Sequence, residues 1–328
     1  MSDYRPDRQP LVTPGAIDHH AADMTASFSA DVTLAEAQET LARHEQWLPI
    51  DGEPSTTLGR LVETNSTGPL RLGYGAWRDL LLGAQFHNGQ NDLITAGGRT
   101  VKNVAGYDLT KFMVGQSGIF GKLVTITTRA YKRPARAVLA THTAGDDHRA
   151  KVHILEHLLP TALRPQWALV MRDALLCGYL GDERTMTFVE SSLAKLDPTD
   201  VTRLTLPEDA DLRCKLLREA SDGPVRCRIA VPPTRIDQVA RVLSANWVAD
   251  PAFGIIWTSA SPEGVDELRR GVARTGAGSV VCRRLDGSLL DAPAPDPAVA
   301  KLLDRLKYAF DPDGRLVPLP LTNPATRA

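Results

Sequence analysis

Thr95-Ala96-Gly97-Gly98-Arg99-Thr100-Val101-Lys102-Asn103-Val104-Ala105-Gly106-Tyr107-Asp108-Leu109-Thr110-Lys111-Phe112-Met113-Val114-Gly115-Gln116-Ser117-Gly118-Ile119-Phe120-Gly121 is the stretch on which the reading of this chain turns. It joins a Gly97-Gly98 pair, a polar run from Lys102 to Asp108, and the spaced glycines Gly115, Gly118 and Gly121. Glycines this close let the backbone turn tightly and let successive amides converge on one point, a nest suited to phosphate or carbonyl oxygens. They also let a flat ring lie against the main chain with no Cβ in the way. Tight turns between short strands would use the same residues, and spacing alone does not choose. Neither standard nucleotide fingerprint is present: no Gly-x-Gly-x-x-Gly opens a helix after a strand, and there is no Gly-x-x-x-x-Gly-Lys-Ser/Thr.

Outward from that stretch the pattern is of ordinary packed structure. Met24, Ala26 and Phe28 alternate along a short strand. Thr33 followed by Glu36 makes a capping box for a helix carrying Leu34, Ala37 and Leu41. Residues 79–96 read as two strands about a two-residue turn at Asn88-Gly89. Residues 122–131 alternate again, with Val124, Ile126 and Ala130 on one face and Leu123, Thr125 and Thr127 on the other. After Arg133-Pro134, helix-like stretches near 149–159, 183–195, 234–246, 263–274 and 299–310 alternate with strand-like runs at 167–172, 225–231, 253–258 and 279–283. The expected fold class is α+β, with one domain over 1–135 and a second over 136–328, an antiparallel sheet covered by helices. No internal repeat is visible.

Bulk properties exclude some functions. Lys and Arg total 38 against 39 Asp and Glu, a net charge of -1, which gives no general attraction to nucleic acid or acidic lipid. No apolar run approaches the ~20 residues that span a bilayer. The N-terminus is polar with no apolar signal segment, so the chain is read as cytoplasmic, without direct membrane insertion. Cys177, Cys214, Cys227 and Cys282 form no Cys-x-x-Cys pair and read as buried free thiols. His153 and His157 share a helix face, but no Glu or Cys completes a metal set, so no metal is expected. No Ser/His/Asp or Cys/His constellation identifies a catalytic residue.

Lys102-Asn103-Val104-Ala105-Gly106-Tyr107-Asp108-Leu109, with Lys111-Phe112, Val114-Gly115 and Ser117-Gly118, closely resembles a stretch of bacterial glycolate oxidase FAD-binding subunits. Gln46-Trp47-Leu48-Pro49-Ile50-Asp51, Asn65-Ser66-Thr67-Gly68-Pro69-Leu70-Arg71-Leu72-Gly73-Tyr74-Gly75 and Arg78-Asp79-Leu80 match the same family in order and spacing. The run Leu306-Lys307-Tyr308-Ala309-Phe310-Asp311-Pro312 resembles its closing segment. The resemblance implies a flavoprotein of the vanillyl-alcohol-oxidase type, with a PCMH-type domain whose two subdomains clamp FAD. Residues 17–135 correspond to the second subdomain, and nothing in residues 1–16 resembles the first.

By that resemblance, Thr57, Leu58 and Gly59 meet the cofactor from a loop. Asn65, Ser66 and Gly68 lie near the flavin, and Gly115, Gly118 and Ile119 lie beside the ribityl and adenine end. Lys102 and Asn103 complete the cofactor set, with Lys102 as a counter-charge. Asn65 as a turn cap, Gly118 as a turn glycine and Lys102 as an exposed lysine are the plain structural readings. Arg71 and Arg78 read either as carboxylate-orienting groups or as surface ion pairs. Two departures stand out: Gly59-Arg60 where the family has paired glycines, and Asp31 in a position that disfavours phosphate. The implied function is an FAD-binding accessory subunit of a complex oxidising 2-hydroxy acids such as glycolate, with a catalytic flavin subunit and an iron–sulfur subunit as partners. A flavin-free subunit that stabilises such a complex is the alternative.

Overall fold

The computed structural model describes residues 10–98, 108–145, 147–196, 199–244, 246–276, 278–284, 289–290 and 296–319. The chain forms two compact units. Unit 1 is Met1–Gly68, Tyr74–Arg133 and Pro293–Ala328; unit 2 is Pro69–Gly73 and Pro134–Ala292. The fold class is α+β, as expected. Neither unit is one continuous stretch, unlike the two continuous domains drawn from the sequence.

The chain up to Arg133 runs β1 (Ile17–His20), β2 (Thr25–Ser29), α1 (Leu34–Ala42), β3 (Gln46–Trp47), α2 (Leu58–Glu63), α3 (Arg71–Tyr74), α4 (Trp77–Leu80), β4 (Leu81–His87), β5 (Leu93–Gly97), α5 (Leu109–Phe112), β6 (Lys122–Arg129) and β7 (Tyr131–Lys132), all in unit 1 except Arg71–Gly73 of α3, which belong to unit 2. Among the described residues its main sheet has five antiparallel strands in the order β1-β2-β6-β4-β5. One face buries Ala26, Phe28, Ile126, Ala84 and Phe86 against Ala37 and Leu41 of α1 and Leu61 and Val62 of α2. The Thr33–Glu36 capping box fixes the start of α1.

The turn between β4 and β5 differs from expectation. It spans residues 88–92 rather than two residues, because Asn88 Oδ1 accepts from the amides of Gln90 (3.0 Å) and Asp92 (2.8 Å) and Asn91 takes a φ of 66°. An Asn side chain closing its own loop outcompetes the tight Asn-Gly turn.

Unit 2 contains a βαββαβ arrangement twice. The first is β8 (Arg136–Thr143), α6 (His148–Leu158), β9 (Trp167–Val170), β10 (Ala174–Gly181), α7 (Glu183–Leu193) and β11 (Thr199–Leu204). After α8 (Leu206–Ala220) the second is β12 (Val225–Ala230), α9 (Ile236–Ala240), β13 (Trp247–Asp250), β14 (Ile255–Ala260), α10 (Val265–Arg274) and β15 (Ser279–Arg284), followed by β16 (Leu289–Leu290). Strand orders are β11-β8-β10-β9 and β13-β14-β12-β15, each the 4-1-3-2 order of a ferredoxin-like unit or its reverse. They join edge to edge where β9 pairs with β13. The absence of a repeat read from the sequence is thus corrected: the duplication lives in topology and leaves no echo in residues.

Helices α6, α7, α9 and α10 pack on one face of this sheet, around Val138, Ala140, Leu175, Tyr179, Ile229 and Ile256. The opposite face carries α8, held by polar groups. Trp167 Nε1 donates to Asp209 Oδ1 (2.8 Å), and Arg213 pairs with the same carboxylate, both side chains being almost fully buried.

The last element, α11 (Pro297–Phe310), belongs to unit 1. Phe310 stacks on Phe112 (centroids 5.5 Å) and touches Phe86 and Phe120. Gly89 donates its amide to Phe310 O (2.8 Å), and a Cβ there would overlap Asp311. Asp311 accepts from Lys307 Nζ (2.6 Å) and from the amides of Arg315 (2.7 Å) and Leu316 (2.9 Å). Burial pushes the Asp311 carboxyl up, and those three donors overcome it and hold it below its ordinary 3.8.

Two outcomes are expected. Asp209→Ala removes the carboxylate shared by Arg213 and Trp167 and is expected to cost about 3–5 kcal/mol in urea unfolding, whereas replacing Asp209 and Arg213 together by Leu and Met recovers most of the loss. The depressed Asp311 carboxyl contributes stability that is complete above its unfolded value of 3.8 and lost as pH falls through the lower folded value. Asp311→Asn is therefore expected to raise tryptic cleavage after Lys307 and Arg315 at neutral pH and to abolish any further loosening of that segment on acidification.

Candidate functional site

The residues expected at a cofactor surround the two ends of α2. Thr57 is its N-cap, Oγ1 accepting from Arg60 N (3.4 Å). The Leu58 and Gly59 amides donate to Val32 O and Ala30 O (2.8 Å each). A Cβ on Gly59 would sit 2.7 Å from Ala30 O, so the bare position serves the approach of α2 to β2. Arg60, where the family has a second glycine, is exposed.

At the far end of α2, Asn65 takes a φ of 50° and donates to Val62 O (3.0 Å), while Ser66 donates to Leu61 O (2.9 Å). The loop after α5 is stapled onto the same end. Gly115 N donates to Val62 O (2.9 Å) and Ser117 N to Glu63 O (2.8 Å). Gly115, Ser117 and Gly118 all have positive φ (85°, 54° and 78°), and for Ser117 that conformation is strained. Asn65 and Gly115 face each other, with 3.3 Å from the Asn65 Cβ to where a Gly115 Cβ would be.

Gly68 lies against Asp51 and Gly118 against Val317. Ile119 donates to Gln116 O (3.0 Å), and its carbonyl accepts from Lys307 Nζ (2.8 Å). Six of the expected amides, those of Leu58, Gly59, Asn65, Ser66, Gly115 and Ile119, are therefore spent inside the chain. The Gly68 and Gly118 amides have no acceptor among the described residues. Lys102 and Asn103 fall outside the described residues.

Sequence reasoning missed a second feature of unit 1, on the sheet face away from the core. Ser29, Thr125, Gln85 and Thr95 stand opposite one another in a row across β2, β6, β4 and β5. Ser27, Thr127, Gly83 and Gly97 form the next row. Ser27 and Thr127 bond through their hydroxyls (2.8 Å), and Gln85 Nε2 donates to Thr95 Oγ1 (3.0 Å). The Thr25 and Thr125 hydroxyls are buried with no partner among the described residues. Orphaned buried hydroxyls are rare and point to a polar group that belongs beside them. The alternation of hydroxyls in Thr25-Ala26-Ser27-Phe28-Ser29 was the available signal.

Residues 10–16 border this face, Leu11 N donating to Gln85 Oε1 (2.6 Å) and Gly15 N to Asp31 Oδ1 (3.0 Å). Asp31 is thus engaged as an anchor. Its carboxyl is held low by the Ser29 hydroxyl and then the Gly15 amide. Unspent glycine amides and unpartnered hydroxyls are the observations by which unit 1 fits a polar cofactor such as FAD.

In unit 2, Arg71 lies over the Phe253 ring (4.2 Å). Burial, and then the Arg71 charge, push the Arg228 guanidinium below its ordinary value against the opposing pull of Asp250. Neither arginine forms an ion pair among the described residues, and neither does Arg78, so the surface-pair reading fails for all of them that it covered. His153 and His157 meet ring to edge (4.1 Å), and no group of three metal-binding side chains occurs among the described residues. A cleft of about 680 Å³ opens beside His148, His153, Glu156 and Asp237, and none of the expected cofactor residues lines it. No described helix is long and apolar enough to cross a membrane.

No protein-family model matches the chain. It is 30% identical over 121 residues to the mitochondrial D-lactate dehydrogenase [cytochrome] of Arabidopsis thaliana, covering 37% of this chain and 21% of that protein. It is 32% identical over 124 residues to glycolate oxidase subunit GlcE of Escherichia coli, covering 37% of this chain and 35% of that protein. The chain thus matches between a fifth and about a third of these relatives' length. Among solved structures it resembles an alkyldihydroxyacetonephosphate synthase with a TM-score of 0.63 and 14% identity, over 89% of this chain and 63% of that one, a likeness of fold. Over these stretches the chain is thus similar in sequence to glycolate oxidase subunits and D-lactate dehydrogenases, and in fold to the synthase.

Proposed function

We propose that this chain is an FAD-binding accessory subunit of a complex that oxidises 2-hydroxy acids such as glycolate, working beside a catalytic flavin subunit and an iron–sulfur subunit. The observation that carries this reading is the Gly115–Gly118 loop, held on the end of α2 with Ser117 in a strained left-handed conformation and with the Gly118 amide, like that of Gly68, lacking an acceptor among the described residues. Strain of this kind persists where the surroundings over-determine it, commonly at ligand sites. A bound flavin supplies the acceptor for the hydride equivalent removed from a 2-hydroxy acid, and the protein holds and tunes it.

The chain's own residues have distinct tasks in this reading. Gly68 and Gly118 offer amide donors, with Asn65 and Ser66 beside the ring system. Thr57, Leu58, Gly59, Gly115 and Ile119 shape the wall, since their own polar groups are largely spent on the fold. Lys102 and Asn103 belong to the set by resemblance. Arg71 and Arg228, which repel one another and form no ion pair among the described residues, are two groups of unit 2 offered to a carboxylate.

A second reading, a flavin-free subunit that stabilises the complex, is favoured by one observation. Val317 packs against Gly118 and Lys307 holds the Ile119 carbonyl, so the chain's own C-terminal segment already occupies one side of the loop.

The visible spectrum of the purified protein separates the two. Flavin absorbance in a stoichiometry near one per chain, before or after reconstitution with FAD, is expected. Gly118→Ala, which strains a φ of 78° and crowds Val317, is expected to cut that occupancy several-fold while leaving far-UV circular dichroism unchanged. A colourless protein that takes up no FAD yet still co-purifies with partner subunits would establish the second reading.

A further inference from the structure

No disulfide joins the four cysteines; Cys177, Cys227 and Cys282 are buried, as read from the sequence, and Cys214 is not. They are not equivalent. Cys177 is enclosed in the core of unit 2, where burial pushes its thiol up to about 12. Cys214 is half-buried on α8. Cys227 and Cys282, far apart in sequence, are face to face.

The pair is set by strand register. Arg226↔Arg283, Cys227↔Cys282 and Arg228↔Val281 are opposed across β12 and β15, and the two Sγ atoms lie 3.2 Å apart. Directly opposed residues of antiparallel strands have Cα atoms about 4.5 or 5.5 Å apart. A disulfide accepts about 4.4–6.8 Å. The Cα spacing of an opposed pair thus lies within the range that a disulfide accepts. Val225, Val265 and Leu268 pack around the thiols, and Arg269 reaches past them from α10 to Leu290 O (2.8 Å).

The surroundings also divide the roles. The Cys227 thiol and then the Arg269 guanidinium stabilise a thiolate on Cys282 and lower its pKa, whereas that same contact and burial raise Cys227. Arg269 bonds to the Cys282 sulfur and not to that of Cys227, and on that contact Cys282 is assigned as the attacking sulfur and Cys227 as the resolving one.

We propose that Cys227 and Cys282 form a cross-strand dithiol that a hydroperoxide closes to a disulfide. The Cys282 thiolate attacks one peroxide oxygen. The O–O bond breaks, the departing oxygen takes a proton and leaves as water or an alcohol, and Cys282 becomes a sulfenic acid. Cys227 then gives up its proton and displaces the sulfenic hydroxyl, which leaves as water as the S–S bond forms. Two thiols thereby lose two electrons and two protons to one peroxide. The bond ties β15 covalently to β12 and closes a long loop, which raises stability by restricting the unfolded chain.

The test uses the full-length protein treated with hydrogen peroxide, then denatured, alkylated and mapped by mass spectrometry. The expected result is loss of two alkylatable cysteines and of two hydrogens, a peptide linking Cys227 to Cys282, and reversal by dithiothreitol. Cys177 and Cys214 stay alkylatable. Oxidation raises the urea midpoint, and reduction restores it. In Cys227→Ser, Cys282 is expected to stop at a sulfenic acid trapped by dimedone. Four alkylatable cysteines, under conditions that oxidise a small free thiol in the same tube, overturn the proposal. So does a crosslink through Cys214. The wild-type map decides the matter even if a variant fails to fold, and the result is independent of whether the chain holds a flavin.

Discussion

The register of β6 between β2 and β4 is the constraint on which unit 1 depends. Successive side chains of a strand point to opposite faces, so this register sends Ile126 into the core and Thr125 and Thr127 to the polar face. Leu123, expected on the face of Thr125 and Thr127, reaches the core instead because the pairing shifts between Gln85↔Thr125 and Phe86↔Leu123. A slip by one residue would exchange the two sets and bury hydroxyls among Phe28 and Phe86. The irregularity between Leu81 and Gly83 at the start of β4 lets Leu81 remain in the core while Gly83 lies opposite Thr127 on the other face. Helix α2 is then hung from the adjoining edge by the Leu58 and Gly59 amides, and the Gly115–Gly118 loop is hung from α2. Each layer of the candidate site inherits its position from the one below.

Where one local rule acts alone, the sequence was readable. Thr33 and Glu36 announced α1, and alternation announced β2 and β6. Where two local rules competed, it was not. Asn88-Gly89 carries the signature of a tight turn, but Gly89 is needed for the approach of Asp311, a contact invisible to a local reading. Strand β10 is buried almost throughout, so its apolar run lacks the alternation that marks a half-exposed strand. Helix α8 hid for the opposite reason: Asp209 and Arg213 are among its buried positions, and its sequence looks solvated throughout. Its Thr205–Glu208 capping box was a local signal that went unread. The predicted helix over 234–246 shrinks to a 3₁₀ turn at Pro233–Arg235 and the short α9 at Ile236–Ala240.

The candidate site was legible as residues but not as donors. Resemblance named glycines, and glycines serve close packing as readily as ligand contact. Gly59 is bare for Ala30, Gly68 for Asp51 and Gly118 for Val317. Only an inventory of amides and acceptors separates the two uses, and it requires coordinates. The same inventory exposed the hydroxyl rows, which no single strand reveals because each is assembled from four strands.

Lys307 reaches a carbonyl 188 positions earlier in the chain, and Phe310 closes an aromatic cluster whose other members precede residue 121. During synthesis at about 5–20 residues per second, Phe86, Phe112 and Phe120 therefore wait roughly 10–40 seconds on the ribosome for their last neighbour. Throughout that interval the long stretch of unit 2, Pro134–Ala292, is being made, and the nascent chain carries an open greasy notch. Premature termination within unit 2 would leave that notch permanently bare, a substrate for chaperones and proteases.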